Sequence, residues 1–350
     1  TDEAFCSRLF GVGVTRTNAL ESLVIAGWVR GLSDRDIEAA LGEALGGAQA
    51  ALSRSTVSRI CQAIRAEFEA WGKRRLDDVA LDYLFLDASY FRMHPGAPAE
   101  PILAAWGFDT SGKAVFVGLA PAGSESTDGW ADFFEDLKAR GLRPPLLGIS
   151  DGGSGLIGAF ELAFPASLRQ RCLIHRARNI VAKVPRSAQG EVKAAYWAIF
   201  DLDEAYGPGE AAVAEVSRRA EAFCARYEKL YPAAVACLRA GFDSLTTYLR
   251  FPRAHWERIR HSNFIERTFG ESRRRVKVIG RLPGEASCLS LVWAVLDRAA
   301  RGWRGVTETP DGLRLLQDLR RVLLEPPTDL GARRAAVTGS DDSHGQALSA

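Results

Sequence analysis

Apolar and polar positions change their period twice along this chain, and the changes divide it into regions. Asn18–Arg30 is rich in Ala, Leu, Val and Ile, followed by Gly31 and the polar run Ser33-Asp34-Arg35-Asp36. That run reads as an N-cap with acid in the first turn, opening a second helix from about Asp34 to Leu45. Ser53-Arg54-Ser55-Thr56-Val57-Ser58-Arg59-Ile60 then opens a third helix reaching about Trp71. A short helix, a turn and a helix beginning with Ser, Arg and Thr is the layout of a helix-turn-helix, whose second helix offers polar residues to a DNA groove. Arg54, Ser55, Thr56 and Arg59 are the candidate contacts. An ordinary helical bundle is the competing reading.

From about Val79 the period shortens. Tyr83–Arg92, Ile102–Asp109 and Ala114–Ala120 are β-rich runs separated by Pro95-Gly96 and by Asp109-Thr110-Ser111-Gly112, which predicts a three-strand meander. A helix is expected at Thr127–Arg140, ended by Gly141, then a buried strand at Pro145–Ser150 and a short helix at Leu156–Phe164. Leu168–Ile174 reads as a further strand, with a helix from about His175. This β-β-β-α-β-α order predicts an α/β layer around a mixed sheet. Residues 191–248 are helical in pattern apart from Gly207-Pro208-Gly209, and helices are expected from Asn263 to near Gly280 and over Ala286–Arg301. Beyond about Pro326 the Gly/Ser/Ala/Asp-rich chain has no periodicity and reads as a disordered tail. No internal repeat is visible.

Composition narrows the class without naming a partner. The 350 residues are 47% hydrophobic and 25% charged, values of a globular chain able to build a core. No run reaches the roughly 18 apolar residues of a membrane span, and no signal peptide opens the chain. It begins at Thr1, so a preceding segment is expected. Cys6, Cys61, Cys172, Cys224, Cys237 and Cys288 form no CxxC pair, which argues against a disulfide framework and for a reducing cytoplasm.

Charge becomes informative through its placement. The net charge is only +2, yet residues 169–186 hold six Lys/Arg and no acid, and residues 251–281 hold nine Lys/Arg against Glu257, Glu266 and Glu271. Two basic segments on an otherwise acidic chain suggest a focused polyanion site, with solvated helix faces as the plain alternative.

Three acids stand out against this background. Asp87 interrupts the apolar run Leu84–Phe91, where an ionised carboxylate is costly unless paired, for example with a metal cation. Asp151 ends the apolar strand and precedes Gly152-Gly153, at the carboxyl tip where open α/β sheets keep their sites. Glu266 follows Asn263 by three residues, which also fits a capping box, but it opens a segment bearing Arg273-Arg274-Arg275-Val276-Lys277. Three carboxylates from two strands and a helix can hold two divalent cations about 4 Å apart, and hard oxygen donors suit Mg²⁺ or Mn²⁺. Such a site hydrolyses or transesterifies phosphodiesters, with flanking arginines gripping the phosphate.

Several short motifs occur in a fixed order: Leu86-Asp87-Ala88, Gly123-Ser124-Glu125-Ser126, Leu137–Leu142, Ser150-Asp151-Gly152-Gly153, Gln170–Asn179 and Asn263-Phe264-Ile265-Glu266-Arg267. Together, over about residues 20–305, they resemble the mutator-type bacterial insertion-sequence transposases. The resemblance implies an RNase H-like mixed sheet carrying a DDE triad of Asp87, Asp151 and Glu266, which would be both catalytic and metal-binding. It also implies an all-helical insertion between the second and third acids. The implied regions are an N-terminal helical DNA-binding region (1–78), a catalytic core in two parts (79–190 and 259–310), the insertion (191–258), and a C-terminal helix with a disordered tail (311–350). Two divalent cations would be the cofactors. Double-stranded DNA, as transposon terminal inverted repeats and target, would be the partner of an expected homodimer, with no membrane involved and a cytoplasmic, nucleoid-associated location.

The DNA contacts so expected are Arg171, His175, Arg176, Arg178, Asn179, Asn263, Arg267, Arg273, Arg274, Arg275 and Lys277, beside the four in the N-terminal helix. The family's Cys-x-x-His falls on Cys172 and His175. Zinc usually takes four ligands and no second pair lies nearby, so a structural or DNA-proximal role for His175 and a buried Cys172 are favoured over a zinc site. Two features depart from the family pattern: Ser89 replaces an apolar residue, and His261-Ser262 replaces Thr-Thr. Trp106, Trp130, Trp197, Trp293 and Trp303 read as core, with stacking on a flipped base as the lesser alternative. The competing functions are a DNA-binding regulator with an inactive RNase H-like domain and a metal-dependent structure-specific nuclease.

Overall fold

The computed structural model describes residues 54–94, 96–262, 266, 268–270, 272–273, 284–300 and 302–325. The two predicted helices before Arg54, most of the predicted helix-turn-helix and the predicted tail lie outside the described residues.

A five-stranded sheet forms the centre, in the order β3-β2-β1-β4-β5. β1 (Leu81–Phe91), β2 (Glu100–Asp109) and β3 (Ala114–Pro121) make the predicted antiparallel meander, and β4 (Leu147–Ser150) and β5 (Leu168–Arg171) add parallel to β1. The sheet is therefore mixed, as the element order implied. Central β1 is buried from Leu81 to Leu86, because helices cover both of its faces.

On one face Leu84, Leu86, Leu103 and Val117 pack against α2 (Thr127–Ala139) and α3 (Ser154–Ala163), which contribute Trp130, Phe133, Phe134 and Phe160. Gly148 permits the tightest approach: a Cβ there would run into the Phe160 ring. Ser126 starts α2, its hydroxyl accepting from Gly129 N at 3.1 Å.

The alternate residues Tyr83, Phe85, Ala104 and Trp106 face a second core built with the helices that follow β5. These are α4 (Leu173–Val181), α5 (Gln189–Ile199), α6 (Glu210–Tyr227), α7 (Pro232–Arg239), α8 (Asp243–Thr246) and α9 (Trp256–Ile259). No strand interrupts them, in line with the helical pattern read from residues 191–248. α4 begins two residues before the expected His175, because β5 stops at Arg171.

The ends of the described chain are tied to the same sheet. The third predicted helix is present as α1 (Arg54–Lys73), and its Phe68 and Trp71 pack on Trp293, with Trp71 also 4.5 Å from the Phe116 ring. Arg74 stacks over Trp71 at 4.3 Å and donates to Phe116 O and Val117 O. Trp293 belongs to α10 (Glu285–Ala300). Trp106 and Trp130 are fully buried, and Trp303 lies 4.4 Å from Trp106, so these tryptophans are core as expected.

The last described helix, α11 (Pro310–Leu323), starts at a Thr309 cap and puts Arg320 in an ion pair with Asp82, whose side chain is 2% exposed. His255 joins this region to the sheet: its Nδ1 lies 2.7 Å from the Tyr83 hydroxyl and its Nε2 3.1 Å from Thr307 O. With Nε2–H donating and Nδ1 accepting, the ring is neutral, and burial holds its pKa below the ordinary value. Among the described residues no helix is long and apolar enough to cross a membrane.

Candidate active site

Strand register brings the first two acids together. Tyr83 pairs with Leu147 and Phe85 with Ile149, so the same parallel register carried two residues further sets Asp87 level with Asp151. Ser150 pairs with Arg171, and Cys172 N donates to Ser150 O at 2.7 Å, which puts Cys172 level with Asp151 on the next strand. Residues at one level of a parallel sheet point the same way. Asp87, Asp151 and Cys172 therefore form a row that starts within β1 and passes just beyond the carboxyl ends of the parallel strands β4 and β5.

Local backbone geometry fixes the two aspartates. Asp87 Oδ1 accepts from Ala88 N at 3.0 Å and Asp151 Oδ1 from Gly153 N at 2.9 Å. Gly152 sits at φ +95°, and a Cβ there would collide with the Arg171 guanidinium lying across the turn. Gly152→Ala is accordingly expected to cost about 1–3 kcal/mol of stability, read by thermal unfolding, because strain and displacement of Arg171 add. An unchanged melting temperature would contradict this packing.

Glu266 reaches the row from the far end of the helical region. Its Oε1 accepts from Arg178 Nη1 at 2.5 Å, and its Oε2 lies 3.9 Å from His175 Nε2. Arg273, from the same segment, donates to Ser89 Oγ at 2.7 Å, two residues beyond Asp87 on β1. The serine that departs from the family pattern thus ties the Glu266 segment to the first strand.

The electrostatics are those of a crowded site. Burial pushes Asp87 up to about 7, with Asp151 and Glu266 adding to the rise while His175 and the Ala88 amide oppose it. His175 is raised to about 9, first by the Cys172 thiol and further by Asp87 and Asp151, against burial. Burial opposes ionisation of Cys172, yet its contacts with His175 bring the thiol below its usual value. The three predicted acids thus act on one another.

The expected phosphate contacts separate into groups. Arg178 is half-exposed beside Glu266, Arg171 lies beside Asp151, Asn179 is exposed on α4, and Arg273 reaches Ser89. Arg176 is corrected: it is buried, and its guanidinium donates to Cys237 O and Ala240 O at 2.5 Å each. Those carbonyls end α7, so Arg176 braces the insertion and has no free face for DNA. Asn263, Arg267, Arg274, Arg275 and Lys277 lie outside the described residues. So do the side chains of Arg54, Ser55, Thr56 and Arg59, although the α1 backbone that carries them is described.

One residue beside the acids went unread. Glu125 feels the Asp151 charge and accepts from the Tyr90 hydroxyl; burial, then Asp151, raises its pKa while the Tyr90 bond lowers it. The loop carrying it presses on the start of α3, since a Cβ on Gly155 would stand 2.5 Å from Glu125 O. The Gly123-Ser124-Glu125-Ser126 motif was the only signal in the sequence.

Does the donor set suit divalent cations? Three carboxylates are hard oxygen ligands, Asp87 sits where positive charge is wanted, and Glu266 Oε2 is buried without a hydrogen-bond partner among the described residues. As the side chains lie, no three His, Cys, Asp or Glu among the described residues are gathered closely enough to hold a metal ion. Arg178 draws Glu266 aside. The chemistry fits; the rotamers must move to close a cage.

The chain is 32% identical over 307 residues to the transposase for insertion sequence element IS6120 of Mycolicibacterium smegmatis, covering 87% of this chain and 92% of that protein. It is 29% identical over 304 residues to the transposase for insertion sequence element ISRM5 of Rhizobium meliloti, covering 85% and 73%. It is 33% identical over 287 residues to the transposase for insertion sequence element IS1081 of Mycobacterium tuberculosis, covering 81% and 66%. The family profile described as "Transposase, Mutator family" matches residues 3–305, and the chain belongs to that family.

Proposed function

We propose that this transposase is a DDE enzyme of RNase H-like architecture that cuts DNA at transposon ends and joins the freed 3′ end to a target. The observation that carries the reading is the meeting of three acids: the β1–β4 register, continued by two residues, brings Asp87 beside Asp151, and both Asp151 and Glu266 act on the Asp87 carboxyl. Residues 79–190 and 259–310 make the core, 191–258 the insertion, and the region before residue 79 grips the terminal inverted repeats.

Asp87, Asp151 and Glu266 would hold the cations. Bound there, two Mg²⁺ or Mn²⁺ ions supply activation of the attacking oxygen and stabilisation of the leaving 3′ oxygen. The rest falls to the chain. Arg178 releases Glu266 and turns to a phosphate oxygen, for which a guanidinium is geometrically matched. Arg171 and Arg273 flank the scissile phosphate from the Asp151 and Ser89 sides. His175, protonated at neutral pH by virtue of its raised pKa, balances the carboxylates and faces the same phosphate. The nucleophile is water in cleavage and the 3′ hydroxyl in transfer, with no covalent enzyme intermediate. Paired cutting at two ends makes a two-fold dimer the natural assembly.

The test is an assay on duplexes carrying the element's two ends plus a target plasmid, with Mg²⁺ and with EDTA. Nicked and joined products that vanish with EDTA are expected. Binding without cleavage would leave a DNA-binding regulator, and nicking without joined product a nuclease.

A further inference from the structure

Both cations that pair with the Glu266 carboxylate, His175 and Arg178, come from α4, so the placement of the third acid depends on how α4 is joined to the chain entering the Glu266 segment. That joint is made at two consecutive residues. Ser262 N donates to Cys172 Sγ at 3.4 Å, and Leu173 N donates to Arg260 O at 3.0 Å. Four residues after Ser262, the Glu266 amide reaches back to Ser262 O at 3.5 Å, the first bond of the helical turn that presents the carboxylate. On the other side Cys172 is fixed to the sheet through Ser150 O, level with Asp151, and Tyr196 OH holds Leu173 O at 2.9 Å. One and two turns along α4 from this joint stand the two cations that meet Glu266, His175 and Arg178.

We propose that Cys172 is a positioning residue of the active centre: its sulfur links the tip of β5 to the Arg260–Ser262 segment and thereby sets Glu266 opposite Asp87 and Asp151. The inference rests on the reading of those three acids as the cation-binding set. The thiol suits the task because it is completely buried and offers an acceptor with a longer reach than a hydroxyl. Its neighbour Ser262 is equally buried and its hydroxyl has no hydrogen-bond partner among the described residues, while the Ser262 backbone amide makes the contact to the sulfur. The Cys-x-x-His spacing follows from this geometry: one helical turn carries His175 from the joint to the carboxylate. A sulfur engaged by a backbone amide serves the carboxylate set from outside it.

The experiment measures Mn²⁺ binding by the full chain, through the electron paramagnetic resonance signal of free Mn²⁺, alongside kcat and KM for end cleavage. Outer partners of metal ligands usually matter by about 10–100-fold in affinity. Cys172→Ala is expected to weaken Mn²⁺ by roughly 10-fold and lower kcat comparably, with KM for DNA unchanged. Cys172→Val, which keeps the volume but not the acceptor, should behave like Cys172→Ala and stands in for it if that variant does not fold. Cys172→Ser, which restores an acceptor of shorter reach, should recover part of the loss and rank above Cys172→Ala and Cys172→Val.

If the site were only apolar packing, a buried hydroxyl would do worse than Ala or Val, and that order would overturn the proposal. So would Mn²⁺ affinities of Cys172→Ala and Cys172→Val equal to the wild type, or stoichiometric zinc that purifies with the chain and is lost in Cys172→Ala. Asp87→Asn run in parallel separates the two levels: full Mn²⁺ binding by that variant sinks the three-acid reading itself. Loss of binding there, together with unaffected Cys172 variants, sinks only the role of Cys172.

Discussion

Asp87→Asn should abolish DNA cleavage and at the same time make the metal-free protein more resistant to unfolding. The loss follows from removing a cation-binding carboxylate at the reacting centre, several kcal/mol of transition-state stabilisation or on the order of 10³-fold in rate. The gain follows first from the burial of Asp87 and then from its acidic neighbours. Burial, Asp151 and Glu266 raise Asp87 to about 7, so above that pH the folded chain carries a charge its surroundings resist. A carboxyl whose folded pKa is raised contributes its full stability below the unfolded value near 4 and loses it as pH rises through the folded one. The variant should therefore exceed the wild type by about 2–4 kcal/mol at pH 8, taking 1.36 kcal/mol per pKa unit, and match it near pH 4. Denaturant melts of both proteins in EDTA at the two pH values provide the check. Equal stabilities at pH 8 would mean that the folded chain does not resist a buried charge at Asp87.

The second large effect lies far from the site. Arg320→Ala should destabilise the fold by about 3–5 kcal/mol, because it strands the Asp82 carboxylate at the start of β1. Asp82 is almost fully enclosed, and even with Arg320 present burial keeps its pKa above the ordinary value. Without the guanidinium the carboxyl must take up a proton to remain inside, so the deficit should be greater at pH 8 than at pH 5. Replacing both partners with apolar residues, as in Asp82→Leu with Arg320→Leu, should recover most of the stability. Urea unfolding of the two variants distinguishes an unpaired charge from simple loss of contacts made by α11. Equal losses in the single and double variants would point to the contacts.

Asp87 and Asp151 were legible because an acid within an apolar run, or between such a run and two glycines, contradicts the local pattern. Their convergence was not. It depends on the offset at which β1 and β4 pair, and spacing along the chain does not carry that offset when a meander and a helix intervene. The same holds for Cys172, whose level beside Asp151 comes from pairing of β4 with β5. Arg176 shows the limit of reading charge. It stands in the same basic run as Arg178, two positions away, yet a rotation of roughly 200° along the helix turns one inward to carbonyls and the other outward to Glu266. Ser89 looked like a departure from a pattern, and only the partner from the distant Glu266 segment explains it. Glu125 lacks a signal of its own, since an acid in a polar loop before a helix is ordinary capping-region chemistry.

If the chain cuts DNA as proposed, the aromatic packing of α1 bears on where the cut would fall. Phe68 and Trp71 lock the C-terminal end of α1 onto α10 and β3, and a helix of 20 residues is about 30 Å long. On the proposed reading such a rod, bolted at its C-terminal end, would work as a gauge block: DNA held by its N-terminal end would be kept at a set span from Asp87. The number of base pairs between a recognised sequence and the broken bond would then be a length built into the protein, and loosening the Trp71 bolt would blur that count before it weakened the grip.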